Sequence, residues 1–296
     1  ALLEFRGPVV VAPAMHSGMW TNPATVENLR VLEERGVGVV GPVEGPLAAG
    51  DEGMGRMAEP EDIAAALERA VAEGGGPLTG RRILVTAGPT HEPIDAVRFL
   101  GNRSSGKMGY TVAREASKLG AAVTVVSGPS HLPDPPGVEV VRVETAEEMR
   151  DAVLGRVEEA DAVVKAAAVA DWRPKSPAEG KLKKDSGAPE LHLEPTPDIL
   201  QELGERKGDR ILVGFAAETE DLEAAGRAKL REKRLDLMVV NEVGAPGTGF
   251  EADTNRAMLL AADGDDVPVR EWTKAELAAA ICDRLIALLS GVEPLR

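Results

Sequence analysis

Arg82-Ile83-Leu84-Val85-Thr86-Ala87-Gly88-Pro89-Thr90 opens as a short apolar strand and breaks at a turn of small residues. Consecutive aliphatic residues without polar alternation mark a strand covered on both faces, which calls for parallel neighbours and crossover helices. Similar runs stand on either side, Val9-Val10-Val11 upstream and Val123-Thr124-Val125-Val126 and Val239-Val240 downstream, with helical stretches between them. The alternation predicts an α/β chain. Two capping boxes, Thr145 with Glu148 and Thr273 with Glu276, mark helix starts, and the second opens a final helix over 274–289.

After the Gly88-Pro89 break comes Asn102-Arg103-Ser104-Ser105-Gly106-Lys107-Met108-Gly109, leading into a helix over 110–119. Small residues before a helix let backbone amides approach an anion at the positive end of the dipole, although the same loop also serves as an ordinary turn. It matches neither a dinucleotide fingerprint nor a Walker loop, which argues against a nicotinamide-dependent dehydrogenase and a P-loop ATPase. Of the 296 residues, 49 are acidic and 34 basic, and the net charge of −15 opposes a broad grip on nucleic acid or anionic lipid. No apolar run reaches the ~18 residues of a membrane span. The single cysteine, Cys282, stands in an apolar helical run and reads as a buried hydrophobe, in keeping with a reducing, cytoplasmic setting.

Glu73-Gly74-Gly75-Gly76-Pro77 is too flexible for a packed element and divides residues 1–75 from 76–296. The first segment holds only two or three β/α units, fewer than a doubly wound domain uses. Its Ala12-Pro13-Ala14-Met15-His16-Ser17-Gly18-Met19-Trp20 stands at a strand end, where α/β sheets bind ligands, though Met15, Met19 and Trp20 also suit a core.

That string resembles the motif of flavin-dependent decarboxylases acting on 4'-phosphopantothenoylcysteine, and residues 45–51 and 53–57 resemble their substrate-covering flap. His16 stands where the family has asparagine, and Ala49 where many members have an acid-donating cysteine. The family's flavin-phosphate loop and catalytic histidine lie upstream of this motif. The resemblance therefore implies a partial flavodoxin-like segment that, as this chain, neither holds FMN firmly nor decarboxylates; FMN is expected only where the upstream part is supplied.

After the linker, Thr86-Ala87-Gly88-Pro89-Thr90, Glu92-Pro93-Ile94-Asp95, Arg98, Asn102, Ser104 through Gly109 and Ala166-Ala167-Ala168-Val169-Ala170-Asp171-Trp172 together resemble the bacterial CTP-using phosphopantothenate–cysteine ligases. The likeness continues through Lys181-Leu182-Lys183-Lys184, Pro197-Asp198-Ile199-Leu200, residues 213–219 and residues 250–255. The order of the two segments resembles the bifunctional ligase/decarboxylase family. It implies a Rossmann-like, doubly wound, mostly parallel sheet in the second domain, and a reaction in which 4'-phosphopantothenate is activated as an acyl-cytidylate before cysteine attacks.

The resemblance also assigns residues. Lys181 faces the triphosphate; Asp171 meets the nucleotide through Mg²⁺; Lys165, Ala166, Ala167, Pro197, Asp198, Ile199, Leu200 and Phe215 form the cytidine pocket. Ser104 belongs to the nucleotide loop, and Lys229 and Lys233, four apart on a helix over 221–234, reach the nucleotide from one face. Asn102 and Arg98 meet the phosphopantothenate and its acyl-cytidylate. Read without the family, the lysine run is a solvated loop, Phe215 a core residue, Asp171 a helix cap and Arg98 half of an ion pair. Residues 250–263 alternate as a hairpin does, and the family pairs such strands across a two-fold axis, so a homodimer is expected. A non-catalytic assembly partner on the same fold is the competing reading; it has no need of Lys181, Asp171 and Asn102 together.

Overall fold

The computed structural model describes residues 8–47, 50, 52–73, 76–183, 190–243 and 254–290, without the side chains of 68, 69 and 71–73. Ala49, Lys184, residues 250–253 and the linker glycines 74–75 lie outside the described residues. The chain divides into two compact units, Ala1–Thr79 and Gly80–Arg296.

In the first unit β1 (Val10–Val11) leads to α1 (Ser17–Trp20) and α2 (Pro23–Glu34), and β2 (Gly38–Val39) pairs with β1 in parallel. β3 (Val43–Pro46) and β4 (Glu52–Arg56) form an antiparallel hairpin before α3 (Pro60–Glu73). His16 caps α1, its Nδ1 accepting the Gly18 amide at 3.2 Å, and Met15 donates its amide to the Gly55 carbonyl at 2.9 Å. The motif loop is thus held against the hairpin by backbone.

The second unit runs β5 (Arg82–Ala87), β6 (His91–Pro93), β7 (Phe99–Gly101), α4 (Lys107–Lys118), β8 (Ala122–Ser127), β9 (Glu139–Arg142), α5 (Ala146–Leu154) and β10 (Ala162–Lys165). It continues through β11 (Trp172–Pro174), β12 (Leu193–Pro195), α6 (Ile199–Glu205), β13 (Ile211–Glu218), α7 (Leu222–Glu232), β14 (Leu237–Glu242), β15 (Thr254–Ala261), β16 (Val267–Thr273) and α8 (Lys274–Ser290). Eight strands form one sheet in the order β16-β15-β14-β13-β10-β5-β8-β9, parallel from β14 to β9, with β15 and β16 antiparallel. This is the doubly wound, mostly parallel sheet expected of the domain.

Alternate strand residues supply one face of the core: Leu84, Val126, Val163, Leu212 and Met238 pack with Met149 of α5, Leu203 of α6 and Leu230 of α7. Helices α4 and α8 pack together. Cys282 is buried in α8, and burial pushes its thiol pKa up to about 12, which keeps it inert at neutral pH. Both capping boxes form; Thr145 accepts the Glu148 amide at 3.2 Å, and Thr273 accepts that of Glu276 at 3.2 Å.

Two expectations change. The helix predicted over 110–119 begins three residues earlier, at Lys107, because Gly106 adopts a left-handed φ of 82° and places the preceding loop directly on the first turn. Within residues 254–263 there is no hairpin: β15 is one strand, bonded on one edge to β14 and on the other to β16, so neither edge is free to pair across a two-fold axis.

Candidate functional site

In chain order the second unit winds from β5 outward to β8 and β9, then returns across β5 to β10 and proceeds the other way to β13 and β14. The reversal between β5 and β10 is the switch point at which open α/β sheets bind ligands, at the carboxyl ends of the strands. An open cavity of about 280 Å³ lies there, walled by the start of α4, residues 165–169, Asp171, the ends of β13 and β14, and the starts of β15 and α8.

Thr86 of β5 and Thr90 just beyond it support one wall. Thr86 and Thr90 are buried, and their hydroxyls accept the amides of Ala167 at 3.1 Å and Ala170 at 3.0 Å. The Ala168 amide reaches the Gly88 carbonyl at 2.9 Å, which extends the parallel pairing past the strand ends. Asn102 closes the wall from the other side: its Nδ2 donates to the Val169 carbonyl at 2.8 Å and to that of Ala168 at 3.5 Å. Opposite, α4 sits close on β5. A Cβ on Gly109 would stand 2.6 Å from that of Ala87, so glycine allows the helix terminus to reach the cavity.

Of the residues expected from sequence, Asn102, Ser104, Lys165, Ala166, Ala167, Asp171, Phe215 and Lys229 line this cavity. Ser104 Oγ accepts the Gly106 amide at 3.3 Å, and Lys165 Nζ donates to the Ala167 carbonyl at 3.4 Å. Burial pushes the Lys165 ammonium below its ordinary pKa, against the opposing pull of Asp198 and Asp171. Lys229 pairs with Glu218 at 2.6 Å. Asp171 stands immediately before β11, six residues past the end of β10, and not at the strand terminus itself.

Other expected residues stand elsewhere. Lys233 is the C-cap residue of α7, its amide donating to the Lys229 carbonyl one turn back at 2.9 Å, but its ammonium pairs with Asp198 at 2.8 Å and it does not line the cavity. Asp198 caps α6; burial raises its carboxyl, but the bonds from Lys233 and the Gln201 amide outweigh that and leave it below the ordinary range. Ile199 is a core residue, and neither it, Pro197 nor Leu200 lines the cavity. Arg98 is also off the wall. Its guanidinium pairs with the buried Asp95 and donates to the Leu182 carbonyl at 3.0 Å, and it holds the Asp95 carboxyl well below the usual carboxylate range. Asp95 also accepts the Leu182 amide at 3.0 Å, so the pair fastens the segment that carries the exposed Lys181.

The far wall comes from residues to which the sequence assigned no site role: Lys107 and Asn255, which stand within quoted motifs, and Asn241, Glu242, Arg256 and Lys274, which do not. Arg256 pairs with Glu242 at 2.7 Å. Lys274 Nζ donates to Asn255 Oδ1 at 2.7 Å, and Asn255 Nδ2 to Asn241 Oδ1 at 3.0 Å. Asn241-Glu242 directly follows the apolar run Val239-Val240, and a polar pair at a strand's carboxyl end was the signal available. Four lysines around one cavity of a chain with net charge −15 make a local site for an anion.

Residues 78–289 match the family described as DNA/pantothenate metabolism flavoprotein C-terminal domain, and residues 1–72 match the Flavoprotein family. The Coenzyme A biosynthesis bifunctional protein CoaBC of Bacillus subtilis (strain 168) is 46% identical over 289 residues, 97% of this chain and 71% of that protein. The protein of the same name from Mycobacterium tuberculosis (strain H37Rv) is 45% identical over 305 residues, 98% of this chain and 73% of its own length. The solved C-terminal domain of a CoaBC protein is 41% identical, with a TM-score of 0.63 over 73% of this chain and 99% of that one. The chain therefore belongs to the bifunctional ligase/decarboxylase family of coenzyme A biosynthesis, with a flavoprotein segment preceding a pantothenate-metabolism domain.

Proposed function

We propose that the second unit is a CTP-dependent phosphopantothenate–cysteine ligase whose nucleotide occupies the switch-point cavity. The observation that carries this reading is the wall itself: Lys107, Lys165, Lys229 and Lys274 around an opening whose floor is small-residue backbone. A carboxylate does not acylate an amine unaided. A carboxylate oxygen of 4'-phosphopantothenate attacks the α-phosphorus of CTP, the bond to the β-phosphate breaks and pyrophosphate leaves; the cysteine amine then attacks the acyl carbon, expels CMP and loses its proton to solvent. Lysines stabilise the charge that builds on the phosphates, and Asn102 and the 166–170 backbone orient the reactants.

Asp171 fits a role beside Mg²⁺. Its carboxylate lines the cavity, and a single oxygen donor beside nucleotide phosphates suits an ion that keeps several of its waters. In the first unit Met15, Leu47 and Met57 with Arg56 and His16 line a cavity of about 380 Å³. Apolar walls with the Arg56 guanidinium at the edge are compatible with part of an FMN site that upstream residues would complete, where the flavin would supply the electron sink for decarboxylation.

The homodimer has support from a different surface than the sequence indicated. Exposed Val97, Phe99, Trp172 and Leu193 concentrate on the packed β6–β7 and β11–β12 hairpins. Sedimentation equilibrium checks this: a dimer is expected for the native chain and a monomer for Phe99→Glu, and a dimer in both would exclude this surface.

Pyrophosphate release tests the ligase. With phosphopantothenate present, CTP should outperform ATP by roughly tenfold or more, the discrimination a hydrogen-bonding pocket gives; equal rates would remove the cytidine assignment.

A further inference from the structure

We propose that Asp95, buried at the turn between β6 and β7, is a positioning residue of the ligase: by holding the backbone of Leu182 it sets where Lys181 stands relative to the cavity. This rests on the reading of Lys181 as the residue that faces the triphosphate.

Residues 175–183 follow β11 as irregular chain, so their course is fixed by whatever bonds their backbone. Two of those anchorages are on the same turn. The Ala178 amide donates to the Ile94 carbonyl at 3.0 Å; further on, the Leu182 amide donates to Asp95 Oδ2 at 3.0 Å while its carbonyl accepts from the Arg98 guanidinium at 3.0 Å. Lys181 stands beside the second. Asp95 can hold this segment because its own carboxylate is held: closed to solvent, it accepts the amides of Val97 and Arg98, each at 2.8 Å, and Arg98 Nε at 3.0 Å. A carboxylate offers about four acceptor sites, so one side chain serves both its own turn and the passing segment. The chain that leaves β7 at Gly101 enters Asn102, whose amide closes the cavity wall. One hairpin thus carries Asn102 directly and Lys181 through Asp95, which fixes the spacing between the group that orients the reactants and the charge expected on the triphosphate.

A double-mutant cycle on the full chain tests this, read as pyrophosphate release from CTP with phosphopantothenate present. Asp95→Asn keeps the shape, but an amide nitrogen in place of Oδ2 cannot accept from Leu182 or Arg98. It should slow release by roughly 10- to 100-fold in the native background, the cost of a misplaced group. In the Lys181→Gln background, where the residue it places is already lost, the further loss should be within about twofold. Trypsin should also cut after Lys181 and Lys183 roughly tenfold faster in Asp95→Asn, because the segment opens more often. A merely structural role predicts equal losses in both backgrounds, and that result overturns the proposal, as does near-native release by a folded Asp95→Asn. Should Asp95→Asn fail to fold, Leu182→Pro, which removes the donated N–H and leaves Asp95 and Arg98 in place, takes its position in the cycle with the same expectation. A near-native rate for Lys181→Gln would remove Lys181 from the reaction and the proposal with it. A native chain that releases no pyrophosphate from CTP counts against the ligase reading, and the anchor is then judged by the trypsin arm, where unchanged cleavage refutes it.

Discussion

Replacing Lys181 with glutamine should slow pyrophosphate release from CTP by roughly 10²- to 10³-fold, the loss seen when one preorganised charge-stabilising donor is removed. Glutamine approximates the reach of the side chain and keeps hydrogen-bond donors, so the change isolates the charge. The structure places Lys181 exposed and outside the switch-point cavity, yet its neighbour Leu182 is bonded through both its amide and its carbonyl to the Asp95–Arg98 pair. The segment carrying Lys181 is thereby anchored to the loop between β6 and β7. A lysine that only solvates that loop would leave the rate near normal in the glutamine variant. Stopped-time pyrophosphate assays at saturating CTP separate the two outcomes.

Asn102→Asp should be comparably severe, on the order of 10²-fold or more in amide formation. The native side chain donates to the carbonyls of Val169 and Ala168, so aspartate would set a carboxylate against two carbonyl oxygens. It would also place negative charge on the wall expected to receive phosphates. Both effects act in one direction. Product formation measured with CTP, phosphopantothenate and cysteine, with the circular dichroism of the variant as a folding control, checks it; a folded variant with near-native turnover would exclude Asn102 from the site.

The fold was legible because its signals are local. The runs at 83–85, 123–126 and 239–240 are strands, and the two capping boxes start helices where the residues require. Strand order was less accessible: that β10 returns to the other side of β5, creating the switch point, depends on packing between segments far apart in sequence. The cavity was read in part. Asn102, Lys165 and Asp171 stand in continuous motifs, and eight of the expected residues line the cavity. Arg98 reads from sequence as either a ligand or an ion-pair partner, and Asp95, three residues before it, takes it as a partner. Asn255 falls in the run 250–255, but its joining with Lys274 and Asn241 was not legible: the three lie in separate elements, and only the antiparallel return of β15 beside β14 brings them together.

The acyl-cytidylate is the centre of the account, and transfer of heavy oxygen tests it most directly. Phosphopantothenate carrying the isotope in its carboxylate should be converted with CTP and cysteine, and the nucleotide product analysed by mass spectrometry. If the carboxylate attacks the α-phosphorus, one labelled oxygen leaves with CMP when the amine displaces it, so the account predicts labelled CMP in equal amount to the amide formed. Label appearing instead in inorganic phosphate, with cytidine diphosphate as the nucleotide product, would mean activation as an acyl phosphate and would contradict it.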